Sequence, residues 1–175
     1  MANISNVEGN VPLLKKSYQK WIALGEKVTG NEFKMEIEEY PDLTYLISTT
    51  QLPMMQRESV ETYGPGGVKF IQQGRYVNAQ DVPITFEEVL EGKTLEALRD
   101  WVKNKRYLKV TLGLVGESKS TSSENTTVVM EDCWIEMEGV DLSKEDGATV
   151  VKPSGTLKAN WIGWLDDETA TVSME

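Results

Sequence analysis

The run Gln56–Tyr63, QRESVETY, is the strongest constraint on how this chain can fold. Gln56, Glu58, Val60 and Thr62 make one period-2 face; Arg57, Ser59, Glu61 and Tyr63 make the other. Neither face is apolar, so a strand here has no core of its own to bury into. The run lies inside Ile47–Phe86. There ISTT breaks at Leu52-Pro53, Gly64-Pro65-Gly66-Gly67 turns the chain, VKFIQQGRYV returns, and VPITFEEV follows Asp81. Gly and Pro mark turns, and the β-branched and aromatic residues between them favour strands. The middle run is therefore either a long mobile loop or a segment completed by another subunit.

Composition narrows the function classes. A chain of 175 residues suits one domain with a sizeable core. Its hydrophobic fraction of 39% is low against a usual ~45–50% that also counts Gly. No apolar run reaches membrane-spanning length, and MANISNVEGN lacks a basic-then-apolar leader pattern, so a soluble protein without a cleaved signal is expected. The single Cys133 permits no internal disulfide and no soft-metal cluster. The absence of histidine removes Ser-His-Asp and Cys-His nucleophile systems and His-based zinc sites. No cofactor motif is present, and only a carboxylate enzyme remains open. A net charge of −10 and a pI near 4.6 suit solubility and oppose nucleic-acid binding, although DNA could pass such a surface without sticking.

Along the chain, residues 1–11 read as mobile, and Pro12–Thr29 reads as an amphipathic helix stopped by Gly30. Leu14, Tyr18, Trp21 and Ile22 share its apolar face. That face either packs on the domain or lies on a neighbouring subunit. Phe33–Tyr40 alternates as a strand with Phe33, Met35 and Ile37 on the dry side. Leu43–Thr50 reads as a second strand. Gly92–Arg106 reads as a helix with Thr94 as N-cap and Leu95, Leu98, Trp101 and Val102 on one face, with Trp101 as core. Tyr107–Val115 is a strand with Leu108, Val110, Leu112 and Leu114 together.

Glu117–Thr127 is a polar surface loop. Val128–Val140 is a long strand whose odd face, Val129, Cys133, Ile135 and Met137, should be core; its even face is acidic. Asp132 and Glu136 could form a carboxylate acid/base pair, yet nothing catalytic accompanies them, and a solvated face is the simpler reading. Thr149–Leu165 is a strand pair or one strand bent at Pro153-Ser154-Gly155. The tail 166–175 is disordered or adds an edge strand. About seven strands and one internal helix predict a mainly β fold: a β-sandwich or partial barrel with one flanking α-helix.

The order of these pieces resembles the tail tube proteins of contractile-tailed bacteriophages. Phe33–Glu39, ISTTQLP (Ile47–Pro53), GRYVNAQDVPITFEEV (Gly74–Val89), LEALRDWV (Leu95–Val102), EDCWIEMEGVDL (Glu131–Leu142) and GTLKANWIGWL (Gly155–Leu165) carry it. The resemblance covers about residues 31–165, leaving 1–30 as an N-terminal arm or helix and 166–175 as a C-terminal tail. The N-terminal segment departs from the family plan.

The resemblance implies a non-enzymatic structural subunit without cofactor or metal. Six copies would complete a closed barrel in a hexameric ring, and rings would stack into a tube for DNA ejection inside a contractile sheath. Partners would be other copies, the sheath, baseplate and terminator proteins, and the tape measure and then DNA in the lumen. The setting would be the virion tail, assembled in the host cytoplasm without a membrane anchor. Tubes of type VI secretion and other contractile injection systems share the fold, so a tube ring of such a machine is the alternative.

A closed inter-subunit barrel removes open sheet edges and leaves one strand face in a wet lumen. Six copies carry six times −10, or −60. Asp132, Glu136 and Glu138 are the expected lumen acids. Met54, Met55, Val60, Tyr63, Lys69 and Arg75 are the expected inter-subunit contacts, with flexible Met and an aromatic tip suited to interfaces.

Overall fold

The computed structural model describes residues 11–115, 124–145 and 147–165. The chain divides into two units, Met1–Asn31 and Glu32–Glu175. In the first, helix α1 spans Val11–Ile22 and none of its residues is buried. It ends seven residues before the expected Thr29. Leu24 N–H bonds back to Trp21 O, Gly25 N–H bonds to Ile22 O, and Gly25 takes φ 82°, a left-handed stop open to glycine at little cost. The expected features of residues 1–10, most of 117–127 and the tail 166–175 lie outside the described residues; Glu124–Thr126 form a 3-10 turn.

The second unit is mainly β. Its strands are β1 Phe33–Ile37, β2 Ile47–Thr50, β3 Gln56–Tyr63, β4 Lys69–Val77, β5 Gln80–Phe86, β6 Leu108–Leu114, β7 Thr127–Met137, β8 Ser154–Ala159 and β9 Trp161–Trp164. Nine strands among the described residues exceed the expected seven because the hairpin and the final run each divide in two. The order β1-β6-β7-β8-β5-β2 is antiparallel throughout, and β9 also pairs with β7. Helix α2, Lys93–Lys103, packs on β7 and buries Leu98 and Trp101. The result is the expected sandwich or partial barrel with a flanking helix.

β7 is where the sheet changes direction. Its first half pairs with β6 on one edge and β9 on the other; its second half, Trp134–Met137, pairs with β8. A bulge separates the halves, with Asp132 at φ 49°. One inserted residue reverses which side chains point inward. Val128 and Met130 therefore face the core before the bulge, and Cys133 and Ile135 face it after. The expected odd-numbered core face holds after the bulge, where Cys133 and Ile135 are buried and Met137 packs against the core; before it Val129 is buried too, but Val128 and Met130 are the residues that join the main cluster. Asn160, between β8 and β9, locks the junction: its N–H bonds Glu131 O and its side-chain amide donates to Asp132 O at 3.0 Å. The break in the final run lies at Asn160, not at Pro153–Gly155.

Two further expectations change. Pro41–Tyr45 is a 3-10 turn, so the second strand is only Ile47–Thr50; Pro41 lacks the N–H a ladder needs, and the turn buries Leu43. Gly92, not Thr94, caps α2. Thr94 is buried with its hydroxyl donating to Glu87 O at 2.8 Å, and the Glu88 carboxylate receives the N–H groups of Thr94 and Leu95 at 3.1 and 2.7 Å. Acidic capping of the free N–H groups of a first turn suits the helix dipole. Leu95 and Val102, which share the apolar face with Leu98 and Trp101 in the sequence, are about half exposed.

β8 crosses β7 closely at Gly155. A Cβ there would sit 2.5 Å from Glu136 O and 3.2 Å from Met137 Cα. Backbone on the opposing strand cannot move aside without breaking the ladder. Gly155→Ala should therefore lower stability by about 2 kcal/mol, read as a reduced urea midpoint. Gly139→Ala, with open space around it, should leave the midpoint in place. Equal midpoints would remove the close approach as a constraint.

Candidate assembly surface

β3 and β4 form a separate two-stranded sheet. The first of the two readings, a loose loop, is corrected: Gln56–Tyr63 is a regular strand, paired from Gln56↔Val77 to Tyr63↔Lys69. The Gly-Pro-Gly-Gly segment closes it, with Gly66 and Gly67 at φ 74° and 78°. Every residue of β3 is exposed, as is β4 from Lys69 to Gln73.

Register assigns the two faces. Paired residues share a face in an antiparallel ladder. Val60, Thr62, Phe70 and Gln72 lie on one side; Ser59, Glu61, Tyr63, Lys69, Ile71 and Gln73 lie on the other. Glu61 and Lys69 form an ion pair on the second side. Each face thus holds two large apolar groups among polar neighbours. Phe70 and Ile71 are 60% and 56% exposed and were missed by sequence reasoning. The apolar run VKFI opposite an entirely two-sided partner was the available signal.

The root of the hairpin is tied down. Tyr76 Oη donates to Ile162 O at 2.8 Å, its ring lies 6.1 Å from that of Trp161, and the Asn78 amide donates to Asn160 O at 2.8 Å. Gln80 Nε2 donates to Met54 O at 2.8 Å, fixing the β2–β3 link that carries exposed Met54 and Met55. Gly74 lets the ribbon close: a Cβ there would lie 2.9 Å from Val60 Cγ2. Arg57 donates to Gly74 O at 3.3 Å, and Arg75 is exposed beside it. Met54, Met55, Val60, Tyr63, Lys69 and Arg75 therefore belong to one ribbon and its root.

The acidic residues are distributed differently. Asp132 is exposed at the bulge. Glu136 shares the Lys158 ammonium with Asp81, at 3.7 and 2.6 Å, and Glu138 accepts from Ser154 Oγ at 3.3 Å. The hydrogen bond to Asp81 raises the Lys158 pKa, opposed by partial burial. This face is acidic with one embedded cation, and Asp132 stands apart from the Glu136–Lys158 contact.

Among the described residues no three Asp, Glu, Cys or His side chains are grouped to hold a metal. The groove of about 440 Å³ beside α2 contains Tyr40, whose hydroxyl donates to Asp100 at 2.6 Å, while Arg106 pairs with Asp100 and Glu39. Burial, aided by that hydrogen bond, pushes Tyr40 up to about 12. This cluster fastens α2 to the end of β1.

Cys133 is buried, as expected, and desolvation with Asp132 nearby pushes its thiol up to about 12. Raising the folded pKa keeps the thiol protonated at pH 8. Alkylation at pH 8 should be slower than for a free thiol by about a thousandfold, and denaturant should restore it. Rapid labelling of the folded chain would contradict this burial.

No family model matches the chain, and no curated protein matches its sequence. Solved structures do. One is a chain of the sheath–tube complex of an extracellular contractile injection system (PVC) in its extended state, with 11% identity and TM-score 0.63, covering 82% of this chain and 95% of that one. A second, from the sheath/tube terminator of that system, shows 14% identity and TM-score 0.63 over 79% and 96%. A third, from the tube-terminating cap of the anti-feeding prophage, shows 12% identity and TM-score 0.59 over 79% and 90%. This chain therefore has a fold found in contractile injection particles.

Proposed function

We propose that this chain is a structural tube subunit of a contractile machine, first of a bacteriophage tail. Residues 31–165 are its tube domain. Six copies close a ring, rings stack into a hollow tube, and a sheath surrounds it. Baseplate and terminator proteins bound its ends, and the tape measure and then DNA occupy the lumen. Assembly takes place in the host cytoplasm, and the product is the virion tail. Asp132, Glu136 and Glu138 face the bore in this reading.

The observation that carries the proposal is the β3–β4 ribbon. It is ordered, exposed on both faces, and rooted on a domain whose fold recurs in sheath–tube particles. A ribbon with a wet side and a contact side is what an inter-subunit barrel requires. A tube ring of another contractile injection system is the second reading, favoured by the particles in which the fold was found.

Negative-stain microscopy of the purified protein tests both. Long hollow tubes are expected for the phage reading and separate rings for the second. Dispersed single subunits at every concentration and salt condition would overturn both.

A further inference from the structure

We propose that α1 is a clasp that docks on a second copy of this chain, in the acidic groove between β1 and the 3-10 turn. The inference deepens the tube reading and rests on it. On α1, Leu14, Tyr18, Trp21 and Ile22 make an apolar stripe, each 49–63% exposed. Such a stripe needs a partner surface.

Charge selects the partner. α1 holds Lys15, Lys16 and Lys20 and no acid. Residues 1–31 contain four lysines and two glutamates, a charge of +2; the other fourteen basic and twenty-six acidic residues leave −12 on 32–175. A basic helix is thus attracted to the body of any other copy, and complementary charge sets register and speeds encounter.

The receiving groove, about 590 Å³, is lined by the acids Glu36, Glu38, Glu39 and Asp42, by Lys34 and Lys109, and by Tyr45. Tyr45 is 86% exposed and offers an aromatic surface for the stripe. Lys34 is engaged with Glu36, and Glu38, itself exposed, accepts the Lys109 N–H at 3.0 Å. Reach is sufficient: the nine residues between Ile22 and Glu32 span up to about 30 Å when extended, roughly the width of a small domain. Gly25 and Gly30 lie within them.

The test mixes unlabelled and heavy-nitrogen-labelled protein, assembles it, and applies a zero-length carbodiimide cross-linker before mass spectrometry. Peptides joining Lys15, Lys16 or Lys20 to Glu36, Glu38, Glu39 or Asp42 should carry both labels in assemblies. Single-label pairs alone, mixed pairs to other acids, or no pairs at all within well-formed tubes overturn the clasp and leave the tube reading intact. Failure of the unmodified chain to assemble overturns the tube reading and the clasp with it.

A second measurement uses Leu14→Glu with Trp21→Glu. It should raise the concentration needed for polymerisation about tenfold or more with an unchanged thermal midpoint. An unchanged polymerisation threshold overturns the clasp.

Discussion

Replacing Val60 and Tyr63 together by Asp is expected to abolish polymerisation while leaving the subunit folded. Both side chains are exposed in the free chain, 38% and 68%, so the fold loses little; such surface changes stay within about 0.5 kcal/mol. In an assembled barrel the one on the contact side becomes desolvated. An unpaired carboxylate moved out of water costs several kcal/mol, and the cost recurs in every subunit of a ring. The polymerisation threshold should rise at least about a hundredfold, measured by sedimentation and microscopy. Unaltered tubes would show that the ribbon is free of contacts.

The two-faced register sharpens this test. Val60 and Tyr63 lie on opposite sides of the ribbon. Only one side can line water, so the single variants should differ: the lumen-side change is tolerated and the contact-side change is not. Phe70→Asp should follow Val60→Asp, and Ile71→Asp should follow Tyr63→Asp, because each pair shares a side.

Trp101→Ala should be the most destabilising single core change. Trp101 is 1% exposed, donates its indole N–H to Arg106 O at 3.0 Å, and packs 6.2 Å from the Tyr40 ring. Removing a buried tryptophan leaves a cavity and costs about 3–5 kcal/mol. For a domain stabilised by about 5–15 kcal/mol in total, that is a large share. The thermal midpoint should drop by about 10 °C. Trp101→Phe refills most of the space but strands the Arg106 carbonyl, so a loss of about 1–2 kcal/mol is expected. Equal losses for the two variants would mean that packing around the ring is unimportant.

What the sequence revealed depended on whether a local pattern had a single cause. Phe33–Ile37 alternates because one face meets the core, and Met35 and Ile37 are buried as expected. Leu98 and Trp101 fall on the buried side of α2 for the same reason at helical spacing. β7 misled because a bulge at Asp132 shifts the alternation by one, and a polar residue adopting φ 49° leaves no trace in a hydropathy pattern. Thr94 misled because the carboxylate of Glu88, six residues upstream, already occupied the helix N–H groups.

At the candidate surface, Met54, Met55, Val60 and Tyr63 were legible as apolar groups without an apolar face. Phe70 and Ile71 were legible only as the apolar run VKFI opposite a two-sided strand; that both are exposed depends on which strands lie beside the ribbon, a tertiary fact. The split of acidic charge around Lys158 was likewise hidden, since Asp81, Glu136 and Lys158 come from three separate strands.

The rooted but unsupported ribbon has a kinetic consequence. A two-stranded ribbon without a dry face is marginal in water, and only its base is fastened, through Tyr76 and Asn78. A subunit that joins others through such a ribbon must bring its unfastened far end into register with neighbours that are fastened only at their own roots. In the proposed tube the first ring would then be the slow event, and each later ring would meet an edge already held in place. Growth of this kind has a lag that a preformed template removes. Soluble subunits can accumulate without premature polymerisation, and elongation can be confined to the place where a template stands.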